Sequence, residues 1–247
     1  MGLKVLGPDI NESLKGFAVN KKGEIRFGLG GLKGVGEAAI DSIIEEKTKN
    51  GPYLEVFDFI KRVNQRTVNK KTLESLVYAG AFDCFGDMHR ARYFQTVAGE
   101  NINVLEKIIR FGNIYQSQTT QATNTLFGEL PMVMEIQAPK IPDCTPWSLT
   151  EQLEHEKDVT GIFLSGHPLD HHTFEIKHYG ITPINEYLAY KESITPNSNP
   201  NRNFRILALV SDAQHRLSRQ GKKFGSFTVE DFSGKMEVVL FSEDYLK

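Results

Sequence analysis

Apolar side chains recur at helical spacing along the first half of the chain, with polar and charged residues between them. The repeating positions are Ala39, Ile40, Ile43, Ile44, Phe57, Ile60, Leu73, Leu76 and Val77. Asn69 stands where a side-chain cap begins a helix, and Gly80 stands where a glycine ends one. Residues 2–6 and 24–28 are extended in character, and 20–23 forms a turn. This pattern predicts a mainly helical domain as far as about Gly112.

The polarity of the chain changes after this helical region. Residues 116–125 read QSQTTQATNT, a low-complexity stretch with too few apolar groups to pack in a core. Prolines at 131, 139, 142 and 146 favour an extended chain as far as Trp147, so we place a linker at 116–147. Ser148 and Glu151 then have the spacing of a capping box, which predicts a helix of about 12–16 residues.

The C-terminal part has the alternation that is typical of β-strands. Apolar runs at 204–210, 223–230 and 236–241 are separated by turn-forming residues. Few residues follow the last run, so we expect a barrel that is cut short. The predicted fold class is α+β and multi-domain, with a mostly α-helical domain at 31–115, a linker, a helical connector at 148–198 and a truncated all-β barrel at 199–247.

The most specific signal is the segment LKGVGEAA at residues 32–39. A Gly-x-Gly turn at a helix start frees main-chain amides and lets another molecule approach the backbone closely, and helix starts bind phosphates. This is the arrangement of a helix-hairpin-helix, which grips DNA without reading its sequence. An ordinary tight turn between packed helices is the alternative, and a Rossmann loop fits worse because no third glycine stands in register. The candidate DNA-binding residues are Lys33, Gly34, Val35, Gly36 and Glu37.

A second, degenerate hairpin is predicted after the helix at 70–79. Its loop has Gly86 near the turn, flanked by Asp83 and Asp87, and residues 88–91 open another helix. Arg90 and Arg92 are further candidate phosphate contacts, although arginines on helices are more often solvated. Two such units back to back could straddle a duplex.

Charge and composition limit the possible classes. The net charge is −2, so DNA binding would depend on local basic patches, which occur between Lys61 and Arg92 and between Arg202 and Lys223. The sequence has no apolar run of about 18 residues and no secretory signal. Cys84 and Cys144 match no disulfide or metal spacing. We therefore expect no membrane association and a reducing, cytoplasmic setting.

In the β unit, residues 212–221 are predicted to form a basic loop between the first two strands. OB folds bind single strands with such a loop and with aromatic platforms on the neighbouring strands. The candidate single-strand-binding residues are His215, Arg216, Arg219, Lys222, Lys223 and Phe224. Phe227, Phe232 and Phe241 add rings, but alternation sends about half of such residues into a core, so each ring is more simply assigned to the core.

The sequence contains no pattern that indicates catalysis. Two-metal phosphoryl transfer needs clustered carboxylates, and the chain has no Asp-x-Asp. His167, His171 and His172 could hold a metal, but their spacing matches no usual site, and a polar turn before a helix is the simpler interpretation. We predict no catalytic residues, no metal site and no cofactor for this chain.

Several blocks, taken together and in order, resemble the bacterial DNA polymerase III alpha family of replicative polymerases. They are GLKVLGPDIN at 2–11, IRFGLGGLKGVGE at 25–37, FDF at 57–59, AGAFD at 79–83, HRA at 89–91, GIFLSGHPLD at 161–170 and EDFSG at 230–234. The resemblance covers nearly the whole chain and is far more specific than the glycine turn alone.

The resemblance implies a non-catalytic, DNA-binding region of a DNA-directed DNA polymerase. Residues 1–30 would end the fingers, 31–115 would bind duplex DNA through tandem helix-hairpin-helix motifs, and 199–247 would begin an OB domain for single-stranded template. Nucleotidyl transfer and its magnesium would belong to the palm of the full-length parent. Other replisome subunits are further expected partners.

The family also carries a short motif that docks on the sliding clamp, in which a glutamine and spacer residues precede an aliphatic residue and a phenylalanine. Leu126 and Phe127 match the apolar pair, whereas Thr123 stands where the glutamine is usual. A Leu-Phe anchor that holds the linker on its own domain is an equal alternative. For the whole chain, the alternative is a stand-alone DNA-repair adaptor built from the same modules.

Overall fold

The structure, a computed structural model, describes residues 4–86, 88–96, 99–124, 136–194, 202–218, 221–241 and 245, with the main chain alone at 120–124. The chain divides into two units, Met1–Ser165 and Gly166–Lys247. Within the described ranges, no helix has both the length and the apolar character needed to cross a membrane.

The first unit combines a small sheet with helices. Its strands are β1 (Val5–Leu6), β2 (Ala18–Val19) and β3 (Ile25–Arg26), with β3 parallel to β1 and antiparallel to β2. Its helices are α1 (Glu37–Asn50), α2 (Val56–Arg62), α3 (Lys70–Tyr78), α4 (Arg90–Phe94), α5 (Val104–Asn124) and α6 (Leu149–Thr160). The two segments predicted as extended contain β1 and β3, so that prediction is confirmed.

The predicted apolar stripes form the core of this unit. On α1, Ala39, Ile40 and Ile43 are at most 2% exposed, because their spacing places them on one helical face. Leu73, Leu76 and Val77 of α3 are buried in the same cluster.

The predicted helix ends are also confirmed. The Asn69 side chain accepts a hydrogen bond from the Thr72 amide at 3.0 Å, and Gly80 follows α3 with a φ of 82°, a conformation that favours glycine. Ser148 Oγ accepts a bond from the Glu151 amide at 3.2 Å, which starts α6.

α5 continues through polar residues that the sequence predicts as linker. The Gln116 side-chain amide donates to the carbonyl oxygens of Ile60, Lys61 and Val63 at 3.3, 3.1 and 2.8 Å. The Lys61 ammonium lies 5.2 Å from the centre of the Tyr115 ring. Composition could not predict this extension. The segment is stabilised by the Gln116 side chain, which caps carbonyl groups at the end of α2, and not by burial of its own apolar groups.

The second unit is rich in strands. It contains α7 (Thr173–His178), α8 (Ile184–Ser193) and an antiparallel sheet in the order β4 (Leu209–Leu217), β5 (Lys223–Glu230), β6 (Lys235–Phe241). A mainly helical part followed by this sheet confirms the α+β fold class, and the sheet is consistent with the strands of an OB-type domain.

One strand differs from its prediction. The sequence predicts a strand at 204–210 and a basic loop at 212–221, but β4 begins at Leu209 and pairs with β5 from Leu209↔Glu230 to Leu217↔Lys223. Beyond the last strand pair, the Ser218 amide donates to the Lys222 carbonyl at 2.8 Å. The predicted loop is therefore mostly strand, because cross-strand pairing dominates over the polarity of the segment.

The histidine-rich segment forms a capped turn before α7, as the simpler interpretation predicts. His167 Nδ1 accepts a bond from the Leu169 amide at 3.1 Å, and Asp170 Oδ2 accepts one from the His167 amide at 2.6 Å. Across the described part of the chain, no three His, Cys, Asp or Glu side chains are grouped so that they could hold a metal ion.

Candidate nucleic-acid interface

The glycine turn at 32–36 contacts both α3 and α6. Thr72 Oγ1 donates to the Gly34 carbonyl at 3.4 Å, and the Lys33 amide donates to the Val159 carbonyl of α6 at 2.8 Å. A Cβ on Gly34 would lie 2.7 Å from Ser75 Oγ, and the φ of Gly34 is +85°. Packing against α3 and the positive φ therefore both favour a glycine at position 34.

Gly36 has the opposite environment. It caps the start of α1 with a φ of −76°, and nothing lies within 4 Å of the position a Cβ would occupy. The main-chain amides of Gly36, Glu37 and Ala38 donate to no described residue. Open amides at a helix start, together with the partial positive charge of the helix, suit a bound anion.

Two lysines adjoin this opening. Lys33 belongs to the turn itself, and the side chain of Lys71, in the first turn of α3, passes 3.3 Å from the Cβ position of Gly34. Both residues are exposed, and neither forms an ion pair with a described residue. Lys71 lies in the basic stretch predicted between Lys61 and Arg92, but its place beside the glycine turn was not predicted. Lys71 and Ser75 are one helical turn apart and therefore share the face that meets Gly34.

A third lysine offsets the acidic charge at the start of α1. The Lys15 ammonium forms ion pairs with Glu37 and, at 3.4 Å, with Asp41. The hydrogen bond from Lys15 lowers the pKa of Glu37, so this carboxylate stays charged and paired. Val35, the remaining predicted turn residue, packs against the core.

Arg90 and Arg92 are placed differently from their prediction as phosphate contacts. Arg90 is 7% exposed and its guanidinium binds Asp83 and Glu156. Arg92 donates to the Ile141 and Pro142 carbonyls, each at 3.3 Å. Both guanidinium groups therefore form hydrogen bonds or ion pairs within the first unit, with carboxylate and carbonyl oxygens as acceptors. α4 has only five residues, which also weakens the second hairpin as a phosphate site.

Most of the predicted basic surface between Lys61 and Arg92 is engaged inside the unit. The partners are the rings of Phe111 and Tyr115 for Lys61, Glu46 and Asp58 for Arg62, and Glu106 for Lys70. Lys71 and Arg66 form no ion pair with a described residue, so the surface available to DNA is smaller than the sequence suggests.

In the second unit, the strand register aligns three candidate residues across the sheet. Arg216 of β4 pairs with Phe224 of β5, and Phe224 pairs with Phe241 of β6, so their side chains share one face. The two rings are stacked with centroids 5.5 Å apart. Phe241 is 61% exposed, so it is not buried in a core among the described residues. The sequence could not show this row because it predicted Arg216 in a loop.

The other predicted single-strand contacts lie near this row. His215 precedes Arg216 and so points to the opposite face, where its Nδ1 lies 3.0 Å from Tyr245 Oη. Lys222 and Lys223 are exposed where the hairpin enters β5. Arg219 lies outside the described residues, and so do Leu126 and Phe127 of the predicted clamp motif.

Known proteins resemble this chain in sequence over nearly its whole length. Residues 2–93 match the family model described as a helix-hairpin-helix motif. The proteins called DNA polymerase III subunit alpha of Vibrio cholerae serotype O1 and of Escherichia coli strain K12 are each 32% identical over 98% of this chain. That of Borreliella burgdorferi is 34% identical over 99% of this chain. In each case the match spans 20% of the relative. The chain is therefore homologous to a segment of the DNA polymerase III alpha subunit that contains a helix-hairpin-helix motif.

Proposed function

We propose that the chain is a DNA-binding region of a replicative DNA polymerase, and that the start of α1 binds phosphates of duplex DNA. One observation carries the proposal: the amides of Gly36, Glu37 and Ala38 have no acceptor among the described residues, beside a glycine whose Cβ position is open. This opening lies inside the segment that matches the helix-hairpin-helix model.

The geometry supports binding through the main chain. A phosphate oxygen at the start of α1 would accept hydrogen bonds from these amides, while the nearby Lys33 and Lys71 add positive charge. Lys15 offsets the charge of Glu37, which would otherwise repel the phosphate. Such contacts touch no base, so binding should not depend on sequence, and it should weaken with salt because counterions are released.

Fluorescence anisotropy with two labelled duplexes of unrelated sequence tests this site. The Gly36→Val variant should bind at least about tenfold more weakly, because its side chain fills the space that the phosphate needs. Lys33→Ala and Lys71→Ala should each weaken binding and lower the salt slope by about 1. Lys49→Ala, at the far end of α1, is the matched control and should bind as the parent does. Parent-like binding by a Gly36→Val protein with an unchanged circular-dichroism spectrum would refute the site.

The polymerase reaction is proposed for the longer parent rather than for this chain. The chain spans 20% of the relatives named as DNA polymerase III subunit alpha. The described residues do not fit a magnesium site, because they contain no suitable group of three His, Cys, Asp or Glu side chains. Magnesium and nucleotidyl transfer would then reside in other parts of the parent, and replication would take place in the bacterial cytoplasm. The isolated chain should not extend a primed template.

For the second unit we propose that the row of Arg216, Phe224 and Phe241 binds single-stranded DNA. Stacked rings with a neighbouring guanidinium suit unpaired bases and their phosphates. The Phe241→Leu variant should bind a labelled oligothymidylate several-fold more weakly, since base stacking contributes about 1–3 kcal/mol per base. Phe174→Leu, on α7, is the control because Phe174 is 63% exposed and outside the sheet. Equal losses in both variants would contradict the proposal.

A contact with the sliding clamp is a further proposal, supported by the sequence alone. The pair Leu126 and Phe127 follows a polar stretch, and apolar anchors dominate the binding energy of short peptides. Calorimetry of a peptide with residues 118–130 against the cognate clamp, with its double-alanine variant as control, tests the contact. Equal binding by the two peptides would refute it. Contacts with other replisome subunits remain an expectation from the family resemblance.

A further inference from the structure

Glu156 of α6 is fully buried and occupies the centre of a hydrogen-bond network. Its Oε2 accepts bonds from the amides of Leu164 and Ser165 at 2.9 and 2.8 Å, and its Oε1 accepts one from Ser165 Oγ at 2.5 Å. Arg90 donates to Oε1 at 3.4 Å. The carboxylate therefore joins α6, the chain that follows it and α4.

Arg90 extends the network to the second hairpin. It donates to Asp83 at distances of 2.6 to 3.1 Å and to the Tyr78 carbonyl, at the end of α3, at 3.2 Å. α6 is thus bound to the end of α3 through two buried, charged side chains. Residues 149–160 lie outside the part of the chain that matches the helix-hairpin-helix model, yet they belong to the same unit.

The glycine turn depends on this pairing of helices. One helical turn after Glu156, the Val159 carbonyl accepts the Lys33 amide at 2.8 Å. On its other side the turn meets α3, through Thr72 and through the contact of Gly34 with Ser75. A shift of α6 relative to α3 would therefore move the turn and, with it, the open amides at the start of α1.

We propose that Glu156 is a positioning residue, which through Arg90 and α6 holds the phosphate-binding turn in the geometry that duplex DNA requires. The proposal rests on the function proposed for that turn. A buried ion pair is a weak source of stability, because apolar residues of similar size often replace it without loss, and in some proteins such a pair fixes one geometry instead. Stability and positioning can therefore be separated by experiment.

The test replaces the pair by apolar residues in the full chain, as Glu156→Leu with Arg90→Met. Asp83, the other partner of Arg90, has a side chain that is 50% exposed and can be hydrated. The change also removes the acceptor of the Leu164 and Ser165 amides, so we expect the thermal midpoint to fall by a few degrees in a protein that stays folded. The Lys33 amide should exchange with solvent at least about tenfold faster, because its region opens more easily. Affinity for duplex DNA should fall about tenfold.

The control makes the same kind of substitution at a more exposed ion pair, that of Lys107 and Glu100, in which Nζ and Oε1 lie 2.6 Å apart. Lys107→Met with Glu100→Leu should leave the Lys33 exchange rate and the DNA affinity unchanged. If the apolar pair at 156 and 90 prevents folding, Ser165→Ala is used instead. It removes one bond to Glu156 and should accelerate exchange at Lys33 by a smaller factor.

The outcomes separate the two proposals. Parent-like exchange at Lys33 in a folded apolar variant overturns the positioning role, and so does faster exchange with unchanged DNA affinity. If the parent chain itself does not bind duplex DNA, the proposed function fails. In that case the Lys33 exchange rate still decides whether Glu156 positions the turn.

Discussion

Gly34 and Gly36 of the turn differ in backbone angle and in the space around them, so a side chain would have different consequences at the two positions. Gly34 has a positive φ and a Cβ position 2.7 Å from Ser75 Oγ, whereas Gly36 has an ordinary φ and open space around it. The sequence placed both at the turn but treated them as equivalent. Backbone angle and neighbours come from tertiary packing, and a Gly-x-Gly pattern contains neither.

We predict that Gly34→Ala lowers the free energy of unfolding by about 2 kcal/mol, from left-handed strain and the contact with Ser75. Gly36→Ala should cost only about 0.5–1 kcal/mol, the difference between glycine and alanine at a helix start. Urea unfolding followed by Trp147 fluorescence measures both changes. Adding Ser75→Ala to Gly34→Ala should recover part of the loss. A Gly34→Ala protein as stable as the Gly36→Ala protein would contradict this account.

At the scale of elements, caps supplied from distant parts of the chain fix several helices. The Asp231 carboxylate, in the β5–β6 turn, accepts the amide of Ile184 at 2.8 Å, and Ser233 Oγ accepts that of Asn185 at 3.0 Å. This turn therefore caps the start of α8. Burial alone would raise the pKa of Asp231, but hydrogen bonds from Ser233, Ile184 and Gly234 lower it.

We predict that Asp231→Ala destabilises the second unit by about 1 kcal/mol at neutral pH, a typical value for a helix cap. A carboxyl group with a lowered folded-state pKa stabilises the fold above its unfolded pKa of about 3.9 and loses that effect as pH falls through the folded value. The difference between parent and variant should thus be constant above about pH 5 and shrink below pH 4. Denaturation of the second unit across this range measures it. As the control, Asp212→Ala, at an exposed position on β4, should change the stability by less than about 0.5 kcal/mol at neutral pH.

The extension of α5 gives a second prediction at this scale. Gln116→Ala removes three bonds to the end of α2 and should cost the first unit about 1–2 kcal/mol. Asn113→Ala, an exposed position on the same helix, should cost less than about 0.5 kcal/mol. Urea unfolding compares the two. Equal values would mean that the polar part of α5 does not stabilise the unit.

The sequence predicted the features that depend on interactions between residues close together in the chain. The stripe of α1, the Asn69 cap, Gly80 and the Ser148 cap involve neighbours within a few residues, and all were predicted correctly. The helix through Gln116 and the strand at 212–217 depend on partners in other elements, so polarity alone predicted a linker and a loop. The same reason applies to the candidate site: Lys33 and Gly36 belong to one short motif and could be proposed from the sequence, whereas Lys15 and Lys71 reach the turn only through tertiary packing.

At the scale of the whole molecule, the two proposed DNA contacts lie in different units. The start of α1 belongs to Met1–Ser165 and the row of Arg216, Phe224 and Phe241 to Gly166–Lys247. The first contact uses main-chain amides and lysines, whereas the second uses rings and one guanidinium. Duplex and single-stranded DNA should therefore respond to different substitutions in one chain.

We predict that Lys33→Ala with Lys71→Ala lowers the slope of log affinity against log salt for a duplex by about 2, because each lost phosphate contact removes about one counterion. The slope for an oligothymidylate should not change. Arg216→Ala with Phe241→Leu should weaken the oligothymidylate and leave the duplex unaffected. The quadruple variant should show both losses, each of the same size as in the corresponding double variant, since sites without shared partners act independently. Anisotropy titrations at four salt concentrations, with the Lys49→Ala protein as control, measure all of these terms. Loss of duplex binding in the sheet variant would show that the two DNA forms share one surface, and the division of function between the units would then be wrong.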